Sequence, residues 1–430
     1  MTLIDLVATT PRPAQHTDLP VAILGAGPIG LAAAAELLER GIDFVVLEHG
    51  DEPASSVRRW GHVRLFSGWD ELIAPAARRL LDSQGWTMPD GATAPLASEL
   101  VEHYLAPLAG VEAIASRIRT SATVLAVTRQ GMDRTRSTGR DSRPFAIRVR
   151  HDGETSEVLA RAVIDASGTF TNPNSLASDG LDALGIDEVA SLVSHALPDV
   201  TGTERALFED RHTAVVGAGH SAANTLIALA ELSESTTITW VLRTASAARV
   251  TASSDDELPG RASLGARVNA LVVAGRIAVV DSFEIIRFEA NAARVDLVGL
   301  RDGAVERITA DRVVNATGFR PDLAMLREIR LELDEVVEAP KRLAPLIDPN
   351  VHSCGTVEPH GFGELRHPEH GFFIAGMKSY GRAPTFLLAT GYEQVRSIAA
   401  WLDNDLASAL TVQLQLPATG VCSTESACCS

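Results

Sequence analysis

Hydrophobic positions along the chain fall into short apolar runs separated by glycine turns and helical stretches. Val21-Ala22-Ile23-Leu24 leads into glycines 25, 27 and 30 and predicts a strand over 21–25. A helix is expected over 28–40 and a second strand over 43–47. Glu71–Asp82 and Leu96–Leu108 carry helical character. Strands near 122–129 and 144–150 flank polar residues 131–143, the pattern of a hairpin excursion. The opening pattern then recurs: Thr213-Ala214-Val215-Val216 runs into Gly217 and Gly219, with a helix expected over 221–232 and a strand ending at Arg243. Three short strand candidates lie between 277 and 309, a closing strand near Val314, and a final helix over 384–402. Residues 1–19 read as a leader and 404–430 as a tail, polar after Pro417 and without helical period.

Both repeats carry the glycine spacing of a dinucleotide-binding turn. The first reads Gly25-Ala26-Gly27-Pro28-Ile29-Gly30; the second reads Gly217-Ala218-Gly219-His220-Ser221-Ala222, with alanine in place of the third glycine. The first glycine permits a tight strand-to-helix turn, and the second exposes bare backbone to a pyrophosphate. The third position must be small so that helix and strand pack. The helix N-terminus then holds the phosphates. Two such units in register with strands imply two nucleotides on one chain.

The strand that follows each turn indicates which nucleotide it takes. Phe44-Val45-Val46-Leu47 ends in Glu48. A carboxylate there accepts from ribose hydroxyls and repels a 2′-phosphate, which suits FAD or NAD. Thr237–Leu242 ends in Arg243, whose guanidinium favours the 2′-phosphate of NADPH. The alternative is a solvated arginine at a strand end.

Composition narrows the class. Hydrophobic content of 46% over 430 residues is ample for two or three cores. A net charge of −17 argues against nucleic-acid or anionic-membrane partners and leaves a small-molecule substrate. Residues 21–38 would score as a membrane span, but the glycine turn splits them. Residues 1–20 lack a secretory signal. Four cysteines without a disulfide framework fit a cytoplasmic protein. Oligomeric state is left open, a homodimer being the candidate.

With both glycine motifs in place, the chain resembles the two-dinucleotide-domain flavoproteins, particularly the flavin-containing (class B-like) monooxygenases. Val163–Gly168 and Val313–Asp322 look like that family's paired A-T-G strand ends. The segment Arg58–Ser67, with Arg58, Trp60 and Ser67, resembles the stretch that runs toward the flavin. Gly371–Met377 resembles the last strand, and Ala383–Phe386, with Thr385, the helix start aimed at the flavin ring. The resemblance implies an α/β fold: an FAD-binding Rossmann-like domain with an inserted smaller NADP-binding Rossmann-like domain. It implies FAD and NADPH as cofactors, and contacts from Gly168, Gly318, Gly376, Met377 and Thr385. It also implies oxygen transfer to a soft nucleophile such as sulfur, nitrogen, selenium or arsenic. The expected boundaries are 20–208 and 317–403 for the FAD domain and 209–316 for the NADP domain. The family's signature before the second glycine motif is degenerate here, at Ser194–Val200.

Three further constellations carry chemistry. Ser221 sits in a serine–glycine context without the closing glycine of a nucleophile elbow, so it is expected to donate to a phosphate. His352, Cys354, His360, His367 and His370 crowd together without metal-ligand spacing and read as a polar loop over the flavin edge. Redox-active cysteine pairs are absent: Cys354 stands alone, and Cys422, Cys428 and Cys429 fall in the tail. A mobile thiol trio could capture a soft metalloid such as trivalent arsenic, as in flavin monooxygenases that accompany arsenic-resistance genes. The alternatives are an exposed tail without function or an intermolecular disulfide. NADPH-driven reduction of a metal(loid) or protein acceptor, and a non-enzymatic flavin-bearing metalloid-binding protein, complete the readings.

Overall fold

The computed structural model describes residues 16–245, 259–348, 359–383 and 386–414. They form two compact units. One holds residues 16–171, 321–348, 359–383 and 386–414; the other holds residues 172–245 and 259–320.

The first unit opens with β1 (Val21–Leu24), α1 (Pro28–Glu39) and β2 (Phe44–Leu47). Every residue of both strands is buried, which explains their unbroken apolar runs: a parallel sheet is covered on both faces. Gly27 is the N-cap of α1 and Pro28 its first residue, where a missing N–H leaves no acceptor unpaired. The run Ala32–Ala35 is fully buried and lets α1 approach its neighbours closely. The helix expected over Glu71–Asp82 is two helices, Trp69–Leu72 and Pro75–Asp82, because Pro75 cannot continue a helix but readily starts one. The helix expected over Leu96–Leu108 contains a π-turn, Val101–Leu105. Pro107 has no N–H for the carbonyl of His103, and the Trp86 indole donates to that carbonyl instead, at 2.8 Å.

β3 (Ile118–Arg119) follows, then the antiparallel meander β4 (Thr123–Arg129), β5 (Phe145–His151) and β6 (Glu154–Ala160), and then β7 (Ala162–Asp165). The polar β4–β5 connection is anchored by charge. Buried Arg129 and Arg140 both donate to buried Glu369, each at 2.8 Å. Burial alone would raise the Glu369 carboxyl, but hydrogen bonds from Arg140 and Arg129 hold it below the usual carboxylate range.

The second unit contains β8 (Val193–His195), β9 (His212–Val216), α2 (His220–Ala230), β10 (Thr237–Val241), α3 (Pro259–Val273) and β11 (Ala278–Val280). β12 (Glu284–Asn291), β13 (Arg294–Arg301) and β14 (Ala304–Ala310) form an antiparallel meander, and β15 (Arg312–Asn315) closes the unit. Its parallel sheet has the order β11-β10-β9-β15-β8 among the described residues. The unit begins at Asn172, not near Glu209, because the degenerate signature segment supplies the edge strand β8 beside β15. Between 277 and 310 there are four strands where three were expected.

The chain then returns to the first unit with β16 (Phe372–Ile374), α4 (Leu388–Leu402) and α5 (Leu406–Leu410). The first unit's parallel sheet has the order β16-β7-β1-β2-β3. α5 corrects the expectation that residues from 404 onward form a tail. Asp405 caps it, Ser397 donates to the Ala409 carbonyl at 2.7 Å, and Arg396 donates to the carbonyls of Ser408 and Thr411. These contacts from α4 hold a helix too short to show periodicity in sequence. Among the described residues no helix is long and apolar enough to cross a membrane.

Candidate functional site

Each unit presents a glycine turn at the carboxyl edge of its parallel sheet. In the first unit Gly25 has φ +94°, and a Cβ there would stand 2.9 Å from the Ala166 carbonyl oxygen. A Cβ on Gly30 would stand 1.9 Å from the Gly25 carbonyl oxygen, so helix and strand meet there without room for a methyl group. Gly27 differs: nothing lies within 4 Å of its added Cβ. Open space lies over the N-terminus of α1, whose first N–H groups have no partners inside the helix. Ile29, buried, packs where Gly376 and Gly391 leave room for it.

Glu48 follows the last residue of β2 and is 7% exposed. One carboxylate oxygen accepts from the Ala26 N–H at 2.7 Å; the other accepts from the Gly50 N–H and the Ser55 hydroxyl, both at 2.8 Å. A carboxylate offers about four acceptor positions, so the chain uses three and one remains for a ribose hydroxyl. Glu48 is thereby part of the turn as well as a candidate ribose contact. Of the segment that resembles the run toward the flavin, Arg58 pairs with Glu52 at 2.9 Å on the surface, Trp60 packs against the core, and Ser67 is half-buried.

Beside β1, β7 ends in Asp165-Ala166-Ser167-Gly168. Asp165 Oδ1 accepts from the Ser167 N–H at 3.2 Å and from its hydroxyl at 2.6 Å, and Gly168 has φ +70°. Asp165 Oδ2 accepts from Lys378 Nζ at 2.7 Å, and Lys378 also donates to Ser167 Oγ at 3.0 Å. Lys378 and Asp165 are 1% and 0% exposed. Sequence reasoning named Gly376 and Met377 but missed Lys378 next to them. The available signal was a lysine inside an otherwise apolar strand-end motif. Gly376, at φ +71°, donates its N–H to the side-chain Oε1 of buried Gln394 at 2.8 Å, and Met377 is half-buried.

Among the described histidines of the expected polar loop, His360 and His367 are buried and His370 is exposed. His360 is 2% exposed and meets Gln394 at 2.9 Å. His367 is 8% exposed, and burial pushes it down to about 4. Its Nδ1 accepts from the Glu332 N–H at 3.2 Å, and Nε2 has no partner among the described residues. The His370 carbonyl accepts from Arg129. No metal-binding cluster occurs among the described residues. His352, Cys354, Thr385, Cys422, Cys428 and Cys429 lie outside them.

The second unit repeats the construction without charge. Gly217 has φ +132°, and its added Cβ would stand 2.2 Å from the Ala316 carbonyl oxygen. The Trp240 indole on β10 donates to the Gly217 carbonyl at 2.7 Å. Gly219 caps α2 with nothing within 4 Å of an added Cβ, and the N-terminal turn of α2 holds His220 and Ser221. Ala222 is fully buried and fits where the first unit needs Gly30. Asn315 Oδ1 accepts from the Thr317 N–H at 3.2 Å and its hydroxyl at 2.6 Å, and Gly318 has φ +94°. The Asn315 amide donates to the Asn174 carbonyl at 2.9 Å.

Arg243 follows β10 and is exposed. It donates to the Ser178 carbonyl at 3.3 Å and lines a cleft of about 310 Å³ with Ser282, Glu284, Leu300, Asp302 and Gly303. The cleft offers one guanidinium to a phosphate and two carboxylates to hydroxyls.

A family model, pyridine nucleotide-disulphide oxidoreductase, matches residues 136–353, just over half of the chain. The chain belongs to this family. A second model, NAD(P)-binding Rossmann-like domain, matches residues 23–82 of this pyridine nucleotide-disulphide oxidoreductase family member, spanning the first glycine turn and Glu48. Among solved structures it is similar to the bacillithiol disulfide reductase Bdr (YpdA) from Bacillus cereus. The identity is 20%, 90% of this chain and 99% of that chain are covered, and the TM-score is 0.65. It is also similar to the ornithine N-hydroxylase KtzI of Kutzneria sp. 744, at 15% identity over 90% and 99% of the two chains, with a TM-score of 0.60. For a flavin monooxygenase from Stenotrophomonas maltophilia the values are 20%, 90%, 98% and 0.58. At these identities the likeness concerns the fold. The protein is an NAD(P)H-dependent flavoprotein oxidoreductase with FAD and NADP(H) as its cofactors. Its two open helix N-termini, at Gly27 and Gly219, fit the two pyrophosphates such an enzyme holds.

Proposed function

We propose that this oxidoreductase is an NADPH- and FAD-dependent monooxygenase acting on a soft nucleophile. The observation that carries the reading is the placement of the thiols. No cysteine precedes Cys354, so neither glycine unit nor the segment between them holds a dithiol. A flavin disulfide reductase passes its electrons through such a pair. Two of the similar structures, by name an N-hydroxylase and a flavin monooxygenase, support the same reading.

In this reading Gly27 and the first turn of α1 hold the FAD pyrophosphate, with Glu48 on a ribose hydroxyl. Gly219, His220 and Ser221 at the head of α2 hold that of NADPH, and Arg243 takes its 2′-phosphate. Bound FAD would accept a hydride from NADPH and, with dioxygen and a proton, deliver one oxygen atom to the substrate while the other leaves as water. No side chain is assigned a covalent role. Among soft nucleophiles a trivalent arsenical suits the tail thiols Cys422, Cys428 and Cys429, an assignment that rests on sequence alone.

The family match and the likeness to a bacillithiol disulfide reductase favour a second reading, electron transfer from NADPH to a disulfide or metalloid acceptor. NADPH oxidation measured with thiols, amines and arsenite, with and without oxygen, separates the two. Substrate-stimulated consumption that needs oxygen supports the monooxygenase. An equal anaerobic rate with an acceptor replaces it by the reductase. If serine at 422, 428 and 429 leaves the arsenite response unchanged, the arsenical assignment falls.

A further inference from the structure

The two units solve one local problem with different chemistry. Each has a strand-end turn in which a side-chain oxygen accepts from an N–H and a hydroxyl two residues on, at 3.2 and 2.6 Å in both. In the second unit the accepting residue is neutral Asn315, satisfied by a backbone carbonyl. In the first it is Asp165, and its second oxygen takes the buried Lys378. Since the neutral version builds the same turn, the buried ion pair is not needed for the turn. Taking two charges out of water is in general no gain over a neutral arrangement.

The location of the pair indicates its use. In an open parallel sheet the dinucleotide lies across the carboxyl ends of the strands, its pyrophosphate at the β1–α1 turn. Glu48, just after β2, stands to one side of β1 and marks the adenylate half. The flavin half therefore runs to the other side, toward β7 and β16, where Asp165 ends one strand and Lys378 follows the other. Lys378 Nζ places two of its three N–H groups on Asp165 and Ser167, and no described residue takes the third.

We propose that Lys378 is the cation of the flavin site, held by Asp165 and Ser167, and that it raises the reduction potential of bound FAD. Hydride transfer moves two electrons and one proton from NADPH to FAD, leaving NADP⁺ and a reduced flavin that carries one added negative charge. A cation fixed in a site of low dielectric favours that product. The proposal rests on FAD occupying the first unit with Glu48 at its adenylate half. It does not depend on what the reduced flavin does next.

The test is an anaerobic redox titration of the FAD-loaded protein against reference dyes, with no substrate present. Lys378→Met leaves Asp165 uncompensated and is expected to disfavour reduction at least tenfold, about 30 mV lower for a two-electron couple. Asp165→Asn, which copies the neutral arrangement at Asn315, keeps the turn and leaves the cation unopposed, so it is expected to raise the potential. Opposite shifts mark a charge effect; a packing role would weaken FAD binding in both variants and leave the potential in place. Unchanged potentials, or shifts of the same sign, overturn the proposal. If Lys378→Met fails to hold FAD, Asp165→Asn decides alone, and a parent-like or lower potential, or loss of FAD, overturns it. Parent protein that ignores added FAD would instead sink the cofactor assignment, a distinct and visible outcome.

Discussion

The carbonyl oxygen of Ala316 occupies the space where a side chain on Gly217 would begin. A Cβ there would stand 2.2 Å from it, and the glycine's φ of +132° is one that L side chains rarely adopt. Gly217→Ala must therefore displace the end of β15 or abandon the turn. Backbone strain of on the order of 1–3 kcal/mol adds to the clash. NADPH affinity should fall by more than tenfold while FAD absorbance persists, because the first unit has its own turn. Nucleotide titration followed by flavin absorbance checks this; unchanged NADPH affinity would show that the turn relaxes freely.

Glu48→Ala should lose FAD. The change removes the acceptor for a ribose hydroxyl and also unpairs the Ala26 N–H, which Glu48 holds at 2.7 Å. Each lost hydrogen bond to a charged group is worth about 1.5–3 kcal/mol. Purified variant with a parent-like ratio of flavin to protein absorbance would mean that the carboxylate is dispensable.

Arg243→Ala should raise the KM for NADPH and leave that for NADH nearly unchanged. A lost phosphate contact of about 1.5–3 kcal/mol is roughly one to two powers of ten. Equal effects on both nucleotides would assign Arg243 to the cleft wall beside Glu284 and Asp302 and not to the 2′-phosphate.

Two buried groups of the first unit give its stability opposing pH dependences. Burial, with Glu39 nearby, raises Glu36 to about 7, so in the folded state it holds its proton at pH values where an exposed glutamate has lost it. Its contribution is full below about pH 4.5 and is lost as pH rises to 7. His367, lowered to about 4, contributes fully above about pH 6.5, and that contribution is lost as pH falls toward 4. Each effect is on the order of 3 kcal/mol across its window, and between pH 4.5 and 6.5 they oppose. Glu36→Gln removes one of them. Its stability relative to the parent, from urea unfolding, should climb as pH goes from 4.5 to 7. A difference that stays flat with pH would show that Glu36 ionises normally.

Local sequence determined the elements around both glycine turns. Gly25, Gly27 and Gly30, with Glu48 after the next strand, specify a strand-turn-helix because the positive φ of Gly25, the bare helix start at Gly27 and the approach of Gly30 to the Gly25 carbonyl all lie within one βα unit, although the Ala166 carbonyl that also crowds Gly25 comes from a distant strand end. Gly217 and Gly219 repeat the spacing, with the distant Ala316 carbonyl closing the space at Gly217. Pro75 and Pro107 also announced their interruptions, in a helix that splits and a helix with a π-turn, although the apolar pattern alone read through both. Tertiary structure decided whatever depended on partners distant in the chain. α5 exists because Arg396 and Ser397 donate to its carbonyls. The 193–195 segment is a strand because β15 lies beside it. His360 and His367 are buried by residues that their own neighbourhood does not name. Lys378 acquires its meaning from Asp165, more than two hundred positions away, because parallel strands bring distant strand ends together at one edge of a sheet.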